Sequence, residues 1–253
     1  MNWLTLFIRR MSRHGVLGTI KLIPVNIRWA WRQLAPSNLA ERRRERALDR
    51  ELGIDTAGIV TKGGLQAETK TTDEITFYQA VPLRIFENMT GCLPPDVSSF
   101  SFIDIGSGKG RALILAARLG FHEAIGVEFS SNLHRIAEKN LARVRGSMRT
   151  TLRALNMDAR LFEFPATPTV IFLGNPFGED ITREVIEKVE RSHSNAIHPV
   201  YLLYHWPVHK KVLEERGTWQ EISRGAWRRD FGFEWRAYVL LTGQRNSWTC
   251  KCQ

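Results

Sequence analysis

The chain has 253 residues, enough for one α/β domain plus an extension. With 43 % hydrophobic and 25 % charged residues it is neither disordered nor fibrous. The net charge of +10 is unevenly spread: residues 1–50 hold eleven Lys/Arg against three acids, and residues 51–253 hold 25 against 23, so the body is close to neutral and does not announce a nucleic-acid surface.

The first 35 residues contain no acid. Trp3, Leu4, Phe7, Ile8 and Met11 recur at helical spacing with Arg9, Arg10 and Arg13 between them. Such a stripe either lies on an anionic membrane surface or packs on its own domain, and an acid-free, Arg-rich start also fits an organellar transit peptide. No apolar run reaches about 18 residues, which excludes a spanning helix on this pattern. Cys92, Cys250 and Cys252 are too few for a disulfide framework and point to a reducing, cytoplasmic setting. The ending Cys250-Lys251-Cys252 lacks a second ligand pair, so no metal site is expected.

Residues 38–51 read as a charged helix with Asn38 as its cap, and the glycines of 53–72 as a linker. The expected organisation is a basic helical extension and linker over 1–70 and an α/β domain over 71–253. Residues 76–90 read as a helix that Pro82 must start or kink. Strand and helix then alternate: strand 100–105, glycine turn 106–110, helix 111–119; strand 123–128, helix 132–145; a weaker strand 150–156; strand 169–173, helix 180–191; strand 199–204. The stretch 219–242, with Trp219, Trp227 and Trp235 as edge-strand core, adds an antiparallel pair. This pattern predicts a doubly wound, mostly parallel sheet of seven strands with helices on both faces.

Ligands in such sheets bind at the carboxyl ends of the strands, where Asp104-Ile105-Gly106-Ser107-Gly108-Lys109-Gly110-Arg111 sits. A P-loop requires a hydroxyl residue after its lysine, but Lys109 precedes Gly110. A dinucleotide fingerprint requires a glycine where Arg111 stands, and Asp104 is a poor neighbour for a pyrophosphate. An acid at that point suits a cationic ligand. With Gly126-Val127-Glu128-Phe129-Ser130 closing the next strand, Asp158 after the third and Asn175-Pro176-Phe177 after the fourth, residues 76–205 resemble the class I S-adenosylmethionine-dependent methyltransferase family.

The resemblance implies S-adenosylmethionine as cofactor. It implies that Asp104 faces the methionine ammonium, that Gly106 and Gly108 pass beneath the cofactor with Ile105, Ser107 and Gly110 completing the turn, and that Glu128, followed by Phe129, holds the ribose hydroxyls. Asp158 reaches the adenine amino group, with Met157 and Ala159 near the ring. Each of these acids can instead cap the helix that follows it. Asp49 to Gly58, with Tyr78, is similar to a bacterial branch of that family whose relatives include proteins labelled protein-lysine or histone-type methyltransferases.

The methyl group would point at Asn175, Pro176 and Phe177, and Asn175 counts with the cofactor contacts as well. Its side-chain carbonyl can accept from an amine, and Phe177 offers a ring face. Nucleic-acid amino methyltransferases carry a second proline here, which this chain lacks. Tyr78 and His205 complete the candidate catalytic set, His205 as a proton shuttle or a packing residue. The expected acceptor is a protein side-chain amine such as lysine. A small molecule or membrane-associated metabolite, then RNA, follow as alternatives, and a cofactor-binding regulator without transfer activity is the reading outside enzymology.

Overall fold

The computed structural model describes residues 36–61, 77–227 and 233–242. The amphipathic stripe of residues 1–35, most of the 53–72 linker and the cysteine pair at 250 and 252 lie outside the described residues.

Helix α1 (Pro36–Leu52) opens the described chain. It starts two residues before the expected cap, with Pro36 in the first turn, where a proline's missing N–H has no intrahelical partner to lose. Strands β1 (Ile59–Thr61) and β2 (Phe77–Gln79) form a small antiparallel ribbon that pairs Val60 with Tyr78. The expected helix over 76–90 is therefore β2 followed by a shorter helix α2 (Leu83–Thr90). Pro82 explains the difference. It sits extended at φ −61°, ψ 141° as the cap of α2 and disfavours helical geometry at Val81.

The units that follow match the expected alternation: β3 (Ser101–Ile105), α3 (Arg111–Leu119), β4 (Glu123–Glu128), α4 (Ser131–Val144), β5 (Thr151–Asn156), β6 (Thr169–Leu173), α5 (Glu179–Ser192), β7 (Val200–His205), the short α6 (Lys211–Glu214), β8 (Trp219–Trp227) and β9 (Phe233–Leu240). The seven-stranded sheet has the order β5-β4-β3-β6-β7-β9-β8. Five strands are parallel, and β9 and β8 form the antiparallel pair at one edge. Chain order reverses between β3 and β6, the topological switch point.

Both faces are covered. Phe86, Met89, Leu113, Leu141 and Val144 from α2, α3 and α4 pack on one face, and Ile181, Val185, Val189, Val212 and Leu213 from α5 and α6 on the other. Buried parallel strands need no polar side, which is why β3 and β6 read as short apolar runs. Alternation along β3 sends Ile103 and Ile105 to the α5 face and Phe102 with Asp104 to the α3 face. Phe102 is fully buried among Phe86, Phe121 and Phe172, with ring centroids 5.9, 5.2 and 6.1 Å away.

Helix α1 and residues 53–58, on the extension side of the expected boundary, pack on the body. Ile54 joins the core, and Asp49 accepts from the Thr56 amide (2.8 Å), the Thr56 hydroxyl (2.6 Å) and the Ala57 amide (2.9 Å). Asn140 of α4 bonds both the amide and the carbonyl of Asp55. Phe102→Ala should lower unfolding free energy by about 3–5 kcal/mol, read from urea denaturation, because three rings lose a common partner.

Candidate functional site

The cleft opens at the carboxyl ends of β3, β4, β6 and β7, beside the switch point. Asp104, Gly106, Ser107, Glu128, Phe129, Met157, Ala159, Asn175, Pro176, Phe177, Tyr78 and His205 line it together. Residues 100 positions apart in sequence are thus brought to one wall by the sheet order.

The glycine turn is fastened to the end of β4. The amides of Gly106 and Ser107 both donate to the Val127 carbonyl, at 2.8 and 3.0 Å, and the Gly108 amide donates to Glu128 Oε2 at 2.8 Å. Glu128 Oε1 takes the Ser130 amide at 2.8 Å. Each carboxylate oxygen has a lone pair left for a further donor. Gly106, Gly108 and Gly110 adopt φ of 84°, 55° and 83°, left-handed geometry that glycine takes without steric cost. A Cβ at Gly106 would overlap the Pro176 ring, and one at Gly108 would overlap the Tyr78 ring. The space opposite these two α-carbons is filled by the protein itself.

Tyr78 is fixed over the turn. Its hydroxyl donates to the Thr56 carbonyl at 2.9 Å, and burial pushes its phenol far above the ordinary range. Lys109 reaches away from the cleft to Asp55 (3.1 Å) and the Ala57 carbonyl (3.0 Å). That placement agrees with the failure of the P-loop pattern. Ile105 points into the α5-side core, and Gly110 caps α3 against Ala137; neither lines the cleft.

Asp104 is 3 % exposed, and no described residue hydrogen-bonds its carboxylate. Burial, and then the nearby Glu128 charge, holds its carboxyl well above the usual range. Burial also raises Glu128, against the lowering effect of the amides of Ser130, Gly108 and Phe129. Two buried acids at adjacent strand ends, one of them without a hydrogen-bond donor among the described residues, share the cleft with one guanidinium, that of Arg111.

At the far wall Asn175 takes φ 55° and Trp206 φ 54°, both uncommon for residues other than glycine. Asn175 Oδ1 is buried without a hydrogen-bond partner among the described residues. Burial lowers His205 to about 4, so its ring is neutral near pH 7 and its protonated form is disfavoured in this site.

Asp158 stands apart from the expected cofactor contacts. It does not line the cleft; it caps the turn at 159–161 and is clasped by Arg160, with Nη2 to Oδ2 at 2.6 Å. The helix-capping reading of this acid describes its position, and the Arg160 bonds hold its carboxyl below the usual range. Met157 and Ala159, on either side, do line the cleft.

Arg111, Ala80, Val81 and Leu133 line it as well, and the sequence reading did not assign them there. Arg111 is 3 % exposed, bonds Thr56 Oγ1 at 2.8 Å and pairs with Glu45 of α1 at 3.1 Å. Its position at the end of the glycine motif was the only available signal. Among the described residues, no group of three His, Cys, Asp or Glu side chains is arranged to hold a metal.

No family model and no curated protein matches the sequence. Among solved structures, the chain is similar to a ribosomal protein L11 methylase from Lactobacillus delbrueckii subsp. bulgaricus (17 % identity, TM-score 0.47, covering 62 % of this chain and 77 % of that one). It is similar to an RNA methyltransferase from Salinibacter ruber in complex with S-adenosyl-L-homocysteine (15 %, 0.47, 67 % and 98 %) and to a protein from Pyrococcus horikoshii (13 %, 0.49, 62 % and 89 %).

The raised carboxyls give a pH signature. A carboxyl that binds its proton more tightly in the folded chain contributes stability below the ordinary carboxylate range and loses it as pH rises toward the folded value. Asp104→Asn removes that loss. Its melting temperature should exceed that of the parent at pH 8, by about 2–4 °C for each kcal/mol relieved, and converge with it near pH 4. Equal differences at both pH values in paired thermal melts would reject the burial argument.

Proposed function

We propose that this chain is an S-adenosylmethionine-dependent methyltransferase that transfers to a nitrogen acceptor, with a protein lysine amine as the leading substrate. The observation that carries the reading is Asp104: a buried carboxylate with no described hydrogen-bond partner, placed where a phosphate-binding fold would keep its loop free of acids. A cationic ligand group supplies the missing charge.

The residues fit the cofactor. The Asp104 carboxylate takes its ammonium. Glu128 keeps open lone pairs on both oxygens for the ribose hydroxyls, and its own geometry is locked by Gly108 and Ser130. Met157, Ala159 and Phe129 give the base an apolar wall. When bound, the cofactor supplies an electrophilic methyl group on a sulfonium. Asn175 Oδ1, unsatisfied at the opposite wall, accepts from an acceptor N–H and orients the nitrogen. Phe177 and Tyr78 shape an apolar surround that disfavours the protonated amine. His205 lines the same cleft as a neutral ring, which suits it to hydrogen bonding or packing and leaves the proton of the amine to water. Asp158, committed to Arg160, is left out of the adenine contacts.

Among the described residues no helix is long and apolar enough to cross a membrane. The few cysteines, with Cys92 a buried thiol that donates to the Met89 carbonyl, support a reducing compartment such as the cytoplasm. Membrane contact through residues 1–35 remains part of the proposal on the sequence pattern alone.

Calorimetry with S-adenosylhomocysteine tests the cofactor. Glu128→Ala should weaken binding about 10- to 100-fold, as expected for lost hydrogen bonds to a charged group. No measurable binding by the parent protein would sink the reading. Transfer of a labelled methyl group into lysate, sorted into protein, RNA, lipid and small-molecule pools, tests the acceptor. Label confined to a pool other than protein would reject lysine, and cofactor binding with no transfer would favour a regulatory protein.

A further inference from the structure

The near-neutral body conceals a separation of charge. Residues 131–156 hold Arg135, Lys139, Arg143, Arg145, Arg149 and Arg153 against a single acid, Glu138, which is +5. Helix α5, on the opposite face of the sheet, holds five acids (Glu179, Asp180, Glu184, Glu187, Glu190) against Arg183, Lys188 and Arg191, which is −2. The sequence-level sum over the body averages the two faces, so the argument against a nucleic-acid surface does not hold for the α4 face.

Arg135, Lys139 and Arg143 are spaced four apart on α4 and all exposed, so they form one stripe about 6 Å per step. Lys139 and Arg149 form no ion pair with a described residue, Arg135 bonds only Asn132, and Arg145 alone is paired, with Glu138. The stripe continues toward α1. Arg143 Nη1 donates to the Gly53 carbonyl just beyond α1, and Arg42, Arg46 and Arg50 are exposed along one flank of that helix, none ion-paired with a described residue. Three of the four acids of α1 are turned inward: Glu41 accepts the Arg84 amide, Glu45 pairs with Arg111, and Asp49 holds Thr56; the fourth, Glu51, is exposed and faces Arg118.

We propose that the exposed faces of α4 and α1 form a docking surface for the phosphate backbone of single-stranded RNA. A membrane surface is disfavoured because α4 carries none of the large exposed apolar side chains and α1 carries only Leu39 among the described residues, leaving a single side chain to insert beneath the charges. Phosphate contacts without base readout need guanidinium and ammonium groups in a row, and the two stripes provide them. The first turn of α4 supplies Leu133 to the cleft wall, and its cap Ser130 does the same, so a strand laid along α4 ends at the cleft. An unpaired strand can lie there with its bases free; a duplex cannot present a base without flipping it. The surface is independent of the cofactor reading, because RNA binding needs no cofactor.

The test is fluorescence anisotropy of the full chain with a labelled 25-nucleotide unstructured RNA, against a duplex DNA of matching sequence and phosphatidylglycerol vesicles. The variant Arg135→Gln/Lys139→Gln/Arg149→Gln should weaken RNA binding by about tenfold or more at 0.1 M salt and flatten the log–log salt slope by about 2–3. Its affinity for S-adenosylhomocysteine, or its melting temperature if the parent binds none, should match the parent's. Arg42→Gln/Arg46→Gln/Arg50→Gln is the second variant and should act the same way, which covers loss of folding in the first. Absence of RNA binding by the parent, RNA binding unchanged in both variants, preference for the duplex, or loss of vesicle binding alone would each overturn the proposal.

Discussion

A carboxylate taken out of water must be answered by donors, and Glu128 is answered by the backbone of the loop next door. Its two oxygens take the amides of Gly108 and Ser130, while the Val127 carbonyl takes those of Gly106 and Ser107. The turn after β3 is thereby tied to the end of β4, and the remaining geometry follows. Helix α3 starts at Gly110, Tyr78 lies over Gly108, and Pro176 lies against Gly106. With the turn fixed, Asp104, in register with Phe172 of β6, is left buried at the cleft beside the switch point.

The cleft is acidic inside a strongly basic protein. Burial raises Asp104 and Glu128 and lowers His205, each toward its neutral form, because a low-dielectric site penalises charge of either sign. A cationic ligand reverses that balance for the acids. A phosphate seated against the glycine turn would meet the Asp104 carboxyl, so the discrimination between ligand classes at that point rests on this one side chain more than on the glycines.

The α/β units were legible because buried parallel strands are short apolar runs punctuated by glycine and proline, and because the helices between them carry an apolar face. Asp104, Glu128 and Asn175 were legible as polar residues ending such runs. What was not legible depends on contacts distant in sequence. Residues 76–90 carry a helical apolar pattern, but pairing with β1 makes 77–79 a strand, and Pro82 delays the helix. That Pro176 and Tyr78 lie against the α-carbons of Gly106 and Gly108 is likewise a contact between distant segments. Asp158 read as a ligand contact, but Arg160, two residues on, takes its carboxylate. Residues 53–58 read as a linker, and nothing local reveals that Asp49, Asn140 and Lys109 hold them.

The Glu45–Arg111 pair joins α1 to the start of α3 across 66 positions of sequence, with the guanidinium 3 % exposed. Anyone shortening the gene to begin at residue 71, where composition suggests a clean domain, would delete the acid and keep the base. An interior guanidinium deprived of its carboxylate typically costs about 3–5 kcal/mol, comparable with the whole stability of a small domain. Such a fragment would also lose the Thr56 carbonyl that anchors Tyr78. The stretch that looks dispensable therefore backs the wall of the cleft, holding Tyr78 through Thr56 and Arg111 through Glu45.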